Sequence, residues 1–329
     1  MASLARKAAR FAAAAILIAA ALAATTTWWT RHDPLYFLPR SASAPAVQLD
    51  RIEHRAGRVF EHVTLSDRRL GSIEFTVSLP DPLPGRKLPL IAVLGGLGTG
   101  EHNIRAIRNA GDNIVVGYDW PFATALRTSD LLRLPALRAQ VLSVPGQVTA
   151  ALRWVVAQPW SDADRISLVG FSLGSVAAPA VQRVAMAERI RIGWTVLAYG
   201  GAPIDALVRG DTRIRPGWAR PLLALGAELL LAPVDPALHL PALAGRFLVL
   251  GSTDDSIVSE EASRSLEALT PMPKVTIRLP GDHVGTGPDR EAFLDAALTV
   301  IRCWLVAEGA VNSPDLTPAE TVSSSRACR

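Results

Sequence analysis

The stretch Arg165-Ile-Ser-Leu-Val-Gly-Phe-Ser-Leu-Gly174 constrains the fold of this 329-residue chain more than any other part of its sequence. A short run of β-forming residues leads into Gly170-Phe-Ser-Leu-Gly174, and a run of small residues typical of a helix follows. This order predicts a strand, a sharp turn carrying Ser172, and a helix. A serine on so tight a turn has strained backbone angles, and glycines on either side avoid collisions with the strand and the helix. We therefore predict that Ser172 is a nucleophile.

Strand and helix patterns alternate along the rest of the chain. The continuously apolar run 88–94 is typical of a strand buried on both faces of a parallel sheet. Two extended runs before it, 59–65 and 73–79, predict a hairpin. Later patterns predict strands over 113–118 and 192–198 and from residues 246 and 274 onward, and a helix over 137–157 that Pro145-Gly146 can break. The alternation predicts an α/β fold with a mostly parallel central sheet and helices on both faces.

A glycine-rich loop, Gly95-Gly-Leu-Gly-Thr-Gly100, joins the strand 88–94 to a helical stretch. A dinucleotide-binding loop has the spacing G-x-G-x-x-G and an acidic residue at the end of a second strand, and this sequence has neither. An oxyanion loop needs backbone N–H groups close to the reacting carbonyl, which glycines permit. A tight turn with no function is the third interpretation. The serine turn downstream favours the oxyanion loop.

Candidate partners for Ser172 follow two later strands. The strand from Arg246 ends in a turn that carries Asp254 and Asp255, and one of these carboxylates is expected to cap the next helix. The strand from Lys274 runs into a loop that carries His283. The order serine, aspartate, histidine, each near a strand end, is typical of a serine nucleophile with its base and orienting acid. Surface or core positions account for the other five histidines, which are His32, His54, His62, His102 and His239.

These residues resemble a known family. The chain from about Val59 to Glu308 resembles the α/β-hydrolase superfamily, and the stretch 151–174 is most similar to its dienelactone-hydrolase-like and prolyl-peptidase-like branches. The resemblance implies a triad of Ser172, Asp255 and His283. Asp255 is preferred because Asp255-Ser-Ile-Val resembles the family's Asp-x-x-Val turn, and Asp254 is the alternative acid.

The resemblance also implies an oxyanion hole and an activity. Its donors are the backbone N–H groups of Leu97 and Leu173, although many relatives have His-Gly where this chain has Gly95-Gly96. The implied activity is cleavage of a carboxylic ester or thioester of a small-molecule or lipid-like acyl substrate, in two steps, without a metal or an organic cofactor. The alternatives are an acyltransferase or peptidase that uses the same triad, and an inactive envelope protein with a binding or scaffold role.

The N-terminus has the pattern of a targeting segment. Arg6, Lys7 and Arg10 precede an uncharged run, 11–29, that ends in two tryptophans. Its apolar part has the length of a signal peptide, and Ala21-Leu-Ala23 offers a cleavage site. The whole run also reaches the roughly 17–25 residues of a spanning helix with a cytoplasmic N-terminus. Residues 1–30 are therefore predicted to be a signal peptide or a membrane anchor, with the rest of the chain exported to the periplasm or another extracytoplasmic space.

The remaining boundaries follow from composition. Residues 31–56 are polar and are predicted to be a linker, and the hydrolase domain is expected over 57–309. Residues 203–244 interrupt the alternation and predict a small helical cap, whose apolar piece 221–232 either packs on the sheet or lines an acyl pocket. Residues 310–329 are predicted to be a disordered tail.

The net charge and the cysteine content exclude few further classes of function. The net charge is +4, but the arginines are scattered and no dense basic run is present, so no nucleic-acid partner is expected. Cys303 and Cys328 are the only cysteines. They either pair in an oxidising compartment or stay as two thiols. No sequence feature indicates an oligomeric state.

Overall fold

A nine-stranded sheet forms the centre of the protein in the computed structural model. The structure describes residues 32–41, 45–96, 100–107, 109–122, 133–284, 286 and 290–313, together with six residues between 13 and 28 that have helical backbone. The strands are β1 (Ala46–Arg55), β2 (Arg58–Asp67), β3 (Gly71–Pro80), β4 (Leu88–Leu94), β5 (Ile114–Tyr118), β6 (Ser161–Phe171), β7 (Trp194–Ala198), β8 (Arg246–Ser252) and β9 (Lys274–Leu279).

Helices cover both faces of this sheet. Within the described ranges they are α1 (Gly100–Arg105), α2 (Leu134–Val156), α3 (Leu173–Ala187), α4 (Ile204–Gly210), α5 (Ala219–Leu231), α6 (Pro236–His239), α7 (Glu260–Leu269) and α8 (Arg290–Ala307). The predicted helix 137–157 runs without a break through Pro145. One buried apolar cluster joins the sheet to α2 and α3, and a second joins its other face to α8.

The strand order is β1-β2-β3-β5-β4-β6-β7-β8-β9. The pairs β1–β2, β2–β3 and β3–β5 are antiparallel. The pairs β5–β4, β4–β6, β6–β7, β7–β8 and β8–β9 are parallel. The inner parallel strands β4, β5 and β7 are buried apolar runs, as a sheet covered on both faces requires, whereas the edge strand β9 is only partly buried. The predicted α/β architecture is confirmed. All carboxyl ends of the parallel strands therefore lie at one edge of the sheet.

Part of the predicted linker belongs to the domain instead. Residues 46–55 form β1, which pairs with β2, and Leu38 is buried with Leu142 and Val234. Ser41 also donates a hydrogen bond to Asp67, at 2.5 Å. The linker prediction for 31–56 was wrong there because nearly all of β1 is exposed on both faces. The apolar residues Val47, Leu49 and Ile52 alternate only up to Leu49, because a bulge between Leu49 and Arg51 shifts the register, and all three are exposed.

The insertion 203–244 is helical, as predicted, but its apolar helix lies away from the sheet. The inner side of α5 packs against Leu142 and Val234, while Leu222 and Leu223 are 64% and 51% exposed. Residues 219–242 are long and apolar enough to span a membrane by length and composition. The stretch is divided into several short helices, however, and Leu240 is fully buried in the main core, so it belongs to the folded domain.

The chain stays packed beyond the predicted end of the domain. Ala310 and Val311 are buried, and Asn312 exchanges hydrogen bonds with Asn113. The prediction of a disordered tail was therefore wrong for residues 310–313, and residues 314–329 lie outside the described part of the chain. Cys303 on α8 is disulfide-bonded, and Cys328, the only other cysteine of the sequence, also lies outside the described part.

Candidate active site

Ser172 lies on a sharp turn between β6 and α3. Its backbone has φ 51° and ψ −113°, a left-handed and strained conformation for a residue with a side chain. A Cβ atom on Gly174 would overlap the carbonyl oxygen of Leu94 in β4, and one on Gly170 would overlap the backbone of Gly174. The two glycines thus permit the close packing of strand and helix that presents Ser172 at the carboxyl edge of the sheet.

A continuous hydrogen-bonded chain joins Ser172 to two later side chains. The Oγ of Ser172 lies 2.8 Å from Nε2 of His283. Nδ1 of His283 lies 2.9 Å and 3.1 Å from the two carboxylate oxygens of Asp255. The imidazole is buried and its side chain is only 4% exposed. This arrangement lets His283 take a proton from Ser172 while Asp255 accepts the other N–H of the ring.

The structure distinguishes the two adjacent aspartates. Asp255 faces His283 and accepts hydrogen bonds from the N–H groups of Ile257 and Val258, at 2.9 Å and 2.7 Å. Asp254 is exposed and accepts only the Thr253 hydroxyl among the side-chain hydrogen bonds of the described residues. The helix α7 is capped by Ser259 rather than by either aspartate. Of the two candidate acids, Asp255 alone contacts the histidine.

The hydrogen bonds around Asp255 favour its ionised form. Burial raises the pKa of this carboxyl, but the bond from His283, the bonds from the two amides and the nearby imidazole charge outweigh burial, so the pKa lies below its usual value. Hydrogen bonds from the N–H groups of Ser256 and His283 lower the pKa of Asp282 to about 2. Asp282 thereby ties the loop that carries His283 to the turn that carries Asp255.

The structure describes one of the two predicted oxyanion donors, Leu173, but not the other, Leu97. Leu173 is the first residue of α3, so its N–H has no acceptor one turn earlier in the helix. Leu97 lies outside the described residues. The end of its loop is well anchored, since the N–H of Gly100 donates to the carboxylate of Asp119 at 2.5 Å. Gly100 also packs directly on Gly117 of β5, where a Cβ atom on either residue would overlap the other backbone.

Sequence reasoning missed two residues that support the site. Asp119 holds the glycine loop, and its position directly after a predicted strand was the one available signal. Tyr199, at the end of β7, packs its ring against His283 with centroids 6.1 Å apart and against Phe293 at 5.3 Å. Burial, followed by the charge of Asp255, raises the pKa of Tyr199. The Tyr199 hydroxyl is therefore neutral, and the aromatic ring packs against one side of His283.

A cavity of about 600 Å³ opens beside Ser172 and His283. Its volume lies within the roughly 300–1,000 Å³ of ordinary small-molecule sites. Most of its walls are apolar, including Val93, Phe171 and Leu298, and Arg213 from the insertion lies at its side. Arg213 is already paired with Asp211 through two hydrogen bonds. The cavity therefore offers hydrocarbon surface next to the serine.

Among the described residues, one group has the composition of a metal site. Glu53, His62 and Glu101 bring their ligand atoms within 4.8 Å of one another. Arg51 and Arg105 already form ion pairs with both glutamates. These two positive charges compensate the carboxylates and repel a cation, so the group is better explained as an ion-pair network.

Comparisons with known proteins identify the fold. No protein-family model matches the sequence, and no curated protein matches it. Acetyl xylan esterase 1 from Thermoanaerobacterium sp. JW/SL YS485 has a similar structure, with a TM-score of 0.57 and 13% identity over 83% of this chain and 92% of that chain. An esterase from Pyrobaculum calidifontis has a TM-score of 0.53 and 18% identity, over 80% of this chain and 87% of that chain. The structure of 2,6-dihydroxy-pseudo-oxynicotine hydrolase has a TM-score of 0.53 and 18% identity, over 78% of this chain and 71% of that chain. The chain has the α/β-hydrolase fold.

Proposed function

We propose that this protein is a serine hydrolase that cleaves carboxylic esters through an acyl-enzyme. The observation that carries the proposal is the hydrogen-bonded chain from Ser172 through His283 to Asp255. The strained turn beneath Ser172 and the apolar cavity beside it agree with this role. The similar solved structures named above are described as esterases and a hydrolase, which supports ester chemistry for a chain of the same fold.

The geometry leads to a two-step mechanism. Nε2 of His283 takes the hydroxyl proton as Oγ of Ser172 attacks the ester carbonyl, and Asp255 stabilises the charged imidazole that results. The N–H group of Leu173 binds the oxyanion together with that of Leu97, which the family resemblance implies as the second donor. Each such donor lowers the barrier by about 3–4 kcal/mol. His283 then protonates the leaving alcohol. In the second step it activates water, which releases the acid and restores Ser172.

Hydrolysis of p-nitrophenyl acetate tests this activity. The wild-type protein should release p-nitrophenol, and Ser172→Ala should lower kcat by a factor of about 10⁴ or more. Asp112 is an exposed carboxylate paired with Arg86 and does not line the cavity beside Ser172, so Asp112→Asn should retain the activity. An unchanged rate in the folded Ser172→Ala variant would remove the proposal.

We also propose that the domain works outside the cytoplasm, delivered or held by residues 1–30. The basic residues before the apolar run 11–29 support export, and the disulfide at Cys303 agrees with an oxidising compartment. Mass spectrometry of the protein from fractionated cells tests this. An intact mass of 35.0 kDa in the membrane fraction indicates an anchor, and a shorter soluble form outside the cytoplasm indicates cleavage. Intact protein in the cytosol would contradict export.

A further inference from the structure

A second apolar cavity lies against the one that contains Ser172. Its volume is about 250 Å³, far more than the 10–15 Å³ that one water needs. The two cavities share five lining residues, which are Val93, Ala106, Ile107, Phe171 and Leu298. Phe171 immediately precedes the serine in the chain. The second cavity therefore begins next to the reacting group.

The residues that line the second cavity lie progressively farther from Ser172 along β6, β4 and α8. On β6 the walls pass from Phe171 to Val169, and on the neighbouring β4 from Val93 to Ile91. Two residues of strand correspond to about 7 Å. On α8 the lining residues run from Leu294, beside the serine, to Leu305, and these two residues are about 16 Å apart along the helix. The second cavity thus extends down the face of the sheet beneath α8.

The chemistry of this cavity selects hydrocarbon. Its walls on the strands are apolar, and on α8 they include Leu298, Ile301 and Leu305. Two charged residues of α8 also line it, the exposed Asp295 and the half-buried Arg302. At its far end Asn113 and Asn312 bond to each other, at 2.8 Å and 3.0 Å. At its edge the Thr299 hydroxyl donates to the carbonyl of Asp295 at 2.8 Å. Because Asn113, Asn312 and the Thr299 hydroxyl are satisfied within the protein, a polar ligand gains little from them. An apolar void of this size, in contrast, costs stability in proportion to its volume.

We propose that this cavity binds the acyl chain of the substrate, so that the preferred esters carry an unbranched acyl group of about octanoyl to decanoyl length. The proposal rests on the proposed ester hydrolysis at Ser172. The chain enters past Phe171 and Leu298 and lies between the sheet and α8. Each buried methylene should raise kcat/KM about fourfold until the cavity is filled.

A series of p-nitrophenyl esters from acetyl to dodecanoyl tests the chain length. The account predicts a rise in kcat/KM of at least about 100-fold from acetyl to octanoyl, followed by a plateau or decline after decanoyl. A preference for acetyl over octanoyl would overturn the acyl-chain proposal and leave ester hydrolysis standing.

Filling the cavity tests its position. Thr299→Phe places a ring in the second cavity alone, and should reduce the ratio of octanoyl to acetyl kcat/KM at least tenfold. Ala296→Phe makes a large change on the exposed side of the same helix and should leave that ratio unchanged. Ala110→Leu fills the opposite wall if Thr299→Phe does not fold. Equal ratios in wild type and a folded filling variant would contradict the position.

Binding without turnover separates the two proposals. Decanoate should displace 11-(dansylamino)undecanoic acid from the Ser172→Ala protein, and adding Thr299→Phe should abolish the displacement. Displacement by decanoate in a protein that hydrolyses no ester would refute the enzyme proposal and support the cavity. Hydrolysis of acetyl esters with no decanoate binding would refute the cavity and support the enzyme.

Discussion

Gly174 packs so closely on Leu94 that no side chain fits between them. The Cα of Gly174, in the first turn of α3, faces the backbone carbonyl oxygen of Leu94 at the end of β4, and a Cβ atom there would overlap that oxygen. The contact fixes α3, and therefore Ser172, against the strand that leads into the glycine loop. The position of the nucleophile thus depends on a residue two places after it in the chain.

Replacing Gly174 with alanine should destabilise the protein. The neighbouring atoms belong to the backbone of a buried strand and cannot move aside, so we expect the free energy of unfolding to fall by about 3 kcal/mol or more. Urea unfolding followed by circular dichroism measures this loss. Gly226→Ala is the matched control, since Gly226 lies in α5 with open space around it and alanine there should stabilise by about 0.5–1 kcal/mol. Similar effects at both sites would refute the packing argument.

Asp255 and Asp254 provide a second matched pair. Asp255→Asn removes the carboxylate that holds the imidazole in its reactive tautomer, and kcat should fall about 10⁴-fold, as in other triads. Asp254→Asn changes an exposed carboxylate that contacts Thr253, and its kcat should stay within about threefold of wild type, since surface changes of this kind have small effects. Steady-state kinetics with one ester compares both. A larger loss in Asp254→Asn would reassign the acid.

Asp119 should be required for the glycine loop. Asp119→Ala leaves the N–H of Gly100 without its acceptor, so the free energy of unfolding should fall by about 1–3 kcal/mol and kcat should fall with it. Asp112→Ala removes an exposed ion pair with Arg86 and should cost less than about 1 kcal/mol, with kcat unchanged. Thermal melts and ester hydrolysis measure both quantities. A fully active, equally stable Asp119→Ala protein would exclude this role.

His239 should make the domain sensitive to acid. It is fully buried in α6, its Nε2 lies 2.8 Å from the carbonyl of Pro233, and burial lowers its pKa to about 4. The unfolded chain takes up a proton near pH 6.5 and the folded chain only near pH 4. The free energy of unfolding should therefore be highest above pH 6.5 and fall by about 2 kcal/mol between pH 7 and pH 5.

The variant His239→Gln isolates this contribution. Glutamine keeps an N–H donor for Pro233 but does not titrate, so its free energy of unfolding should change by about 2 kcal/mol less than that of wild type over the same pH range. Asp255 and Asp282 also lose stabilisation in acid because their pKa values are lowered, but they do so equally in both proteins. If the free energy of unfolding changes equally with pH in wild type and in His239→Gln, His239 is not the source of the acid sensitivity.

The sequence predicted the inner parallel strands well because β4, β5 and β7 are buried on both faces. The apolar run 88–94 coincides with β4, and the serine turn lies between β6 and α3 as expected. β1 escaped prediction because a bulge after Leu49 interrupts its short alternation of apolar residues, and because its side chains are exposed. The apolar helix α5 was expected to pack on the sheet or to line an acyl pocket, but it packs on Leu142 and Val234 and exposes Leu222 and Leu223.

The site was predictable only where the chain order itself carries the chemistry. Ser172 and His283 are marked by their places after strands. Chain order leaves the adjacent Asp254 and Asp255 both open, and Asp255 was preferred only through its resemblance to the family's Asp-x-x-Val turn; in the structure it is Asp255 that faces His283. Asp119 acts on Gly100, a residue nineteen positions earlier, and such a contact depends on β5 lying beside β4. Pairing between distant strands is not encoded in any local pattern.

Labelling with a fluorophosphonate tests the central claim most directly. The reagent forms a covalent phosphonyl adduct with a serine whose hydroxyl is activated by a neighbouring base. Mass spectrometry of the wild-type protein should show one adduct, located on the peptide that contains Ser172, and Ser172→Ala and His283→Ala should show none. A folded wild-type protein that stays unlabelled, or that is labelled at another residue, would contradict the account.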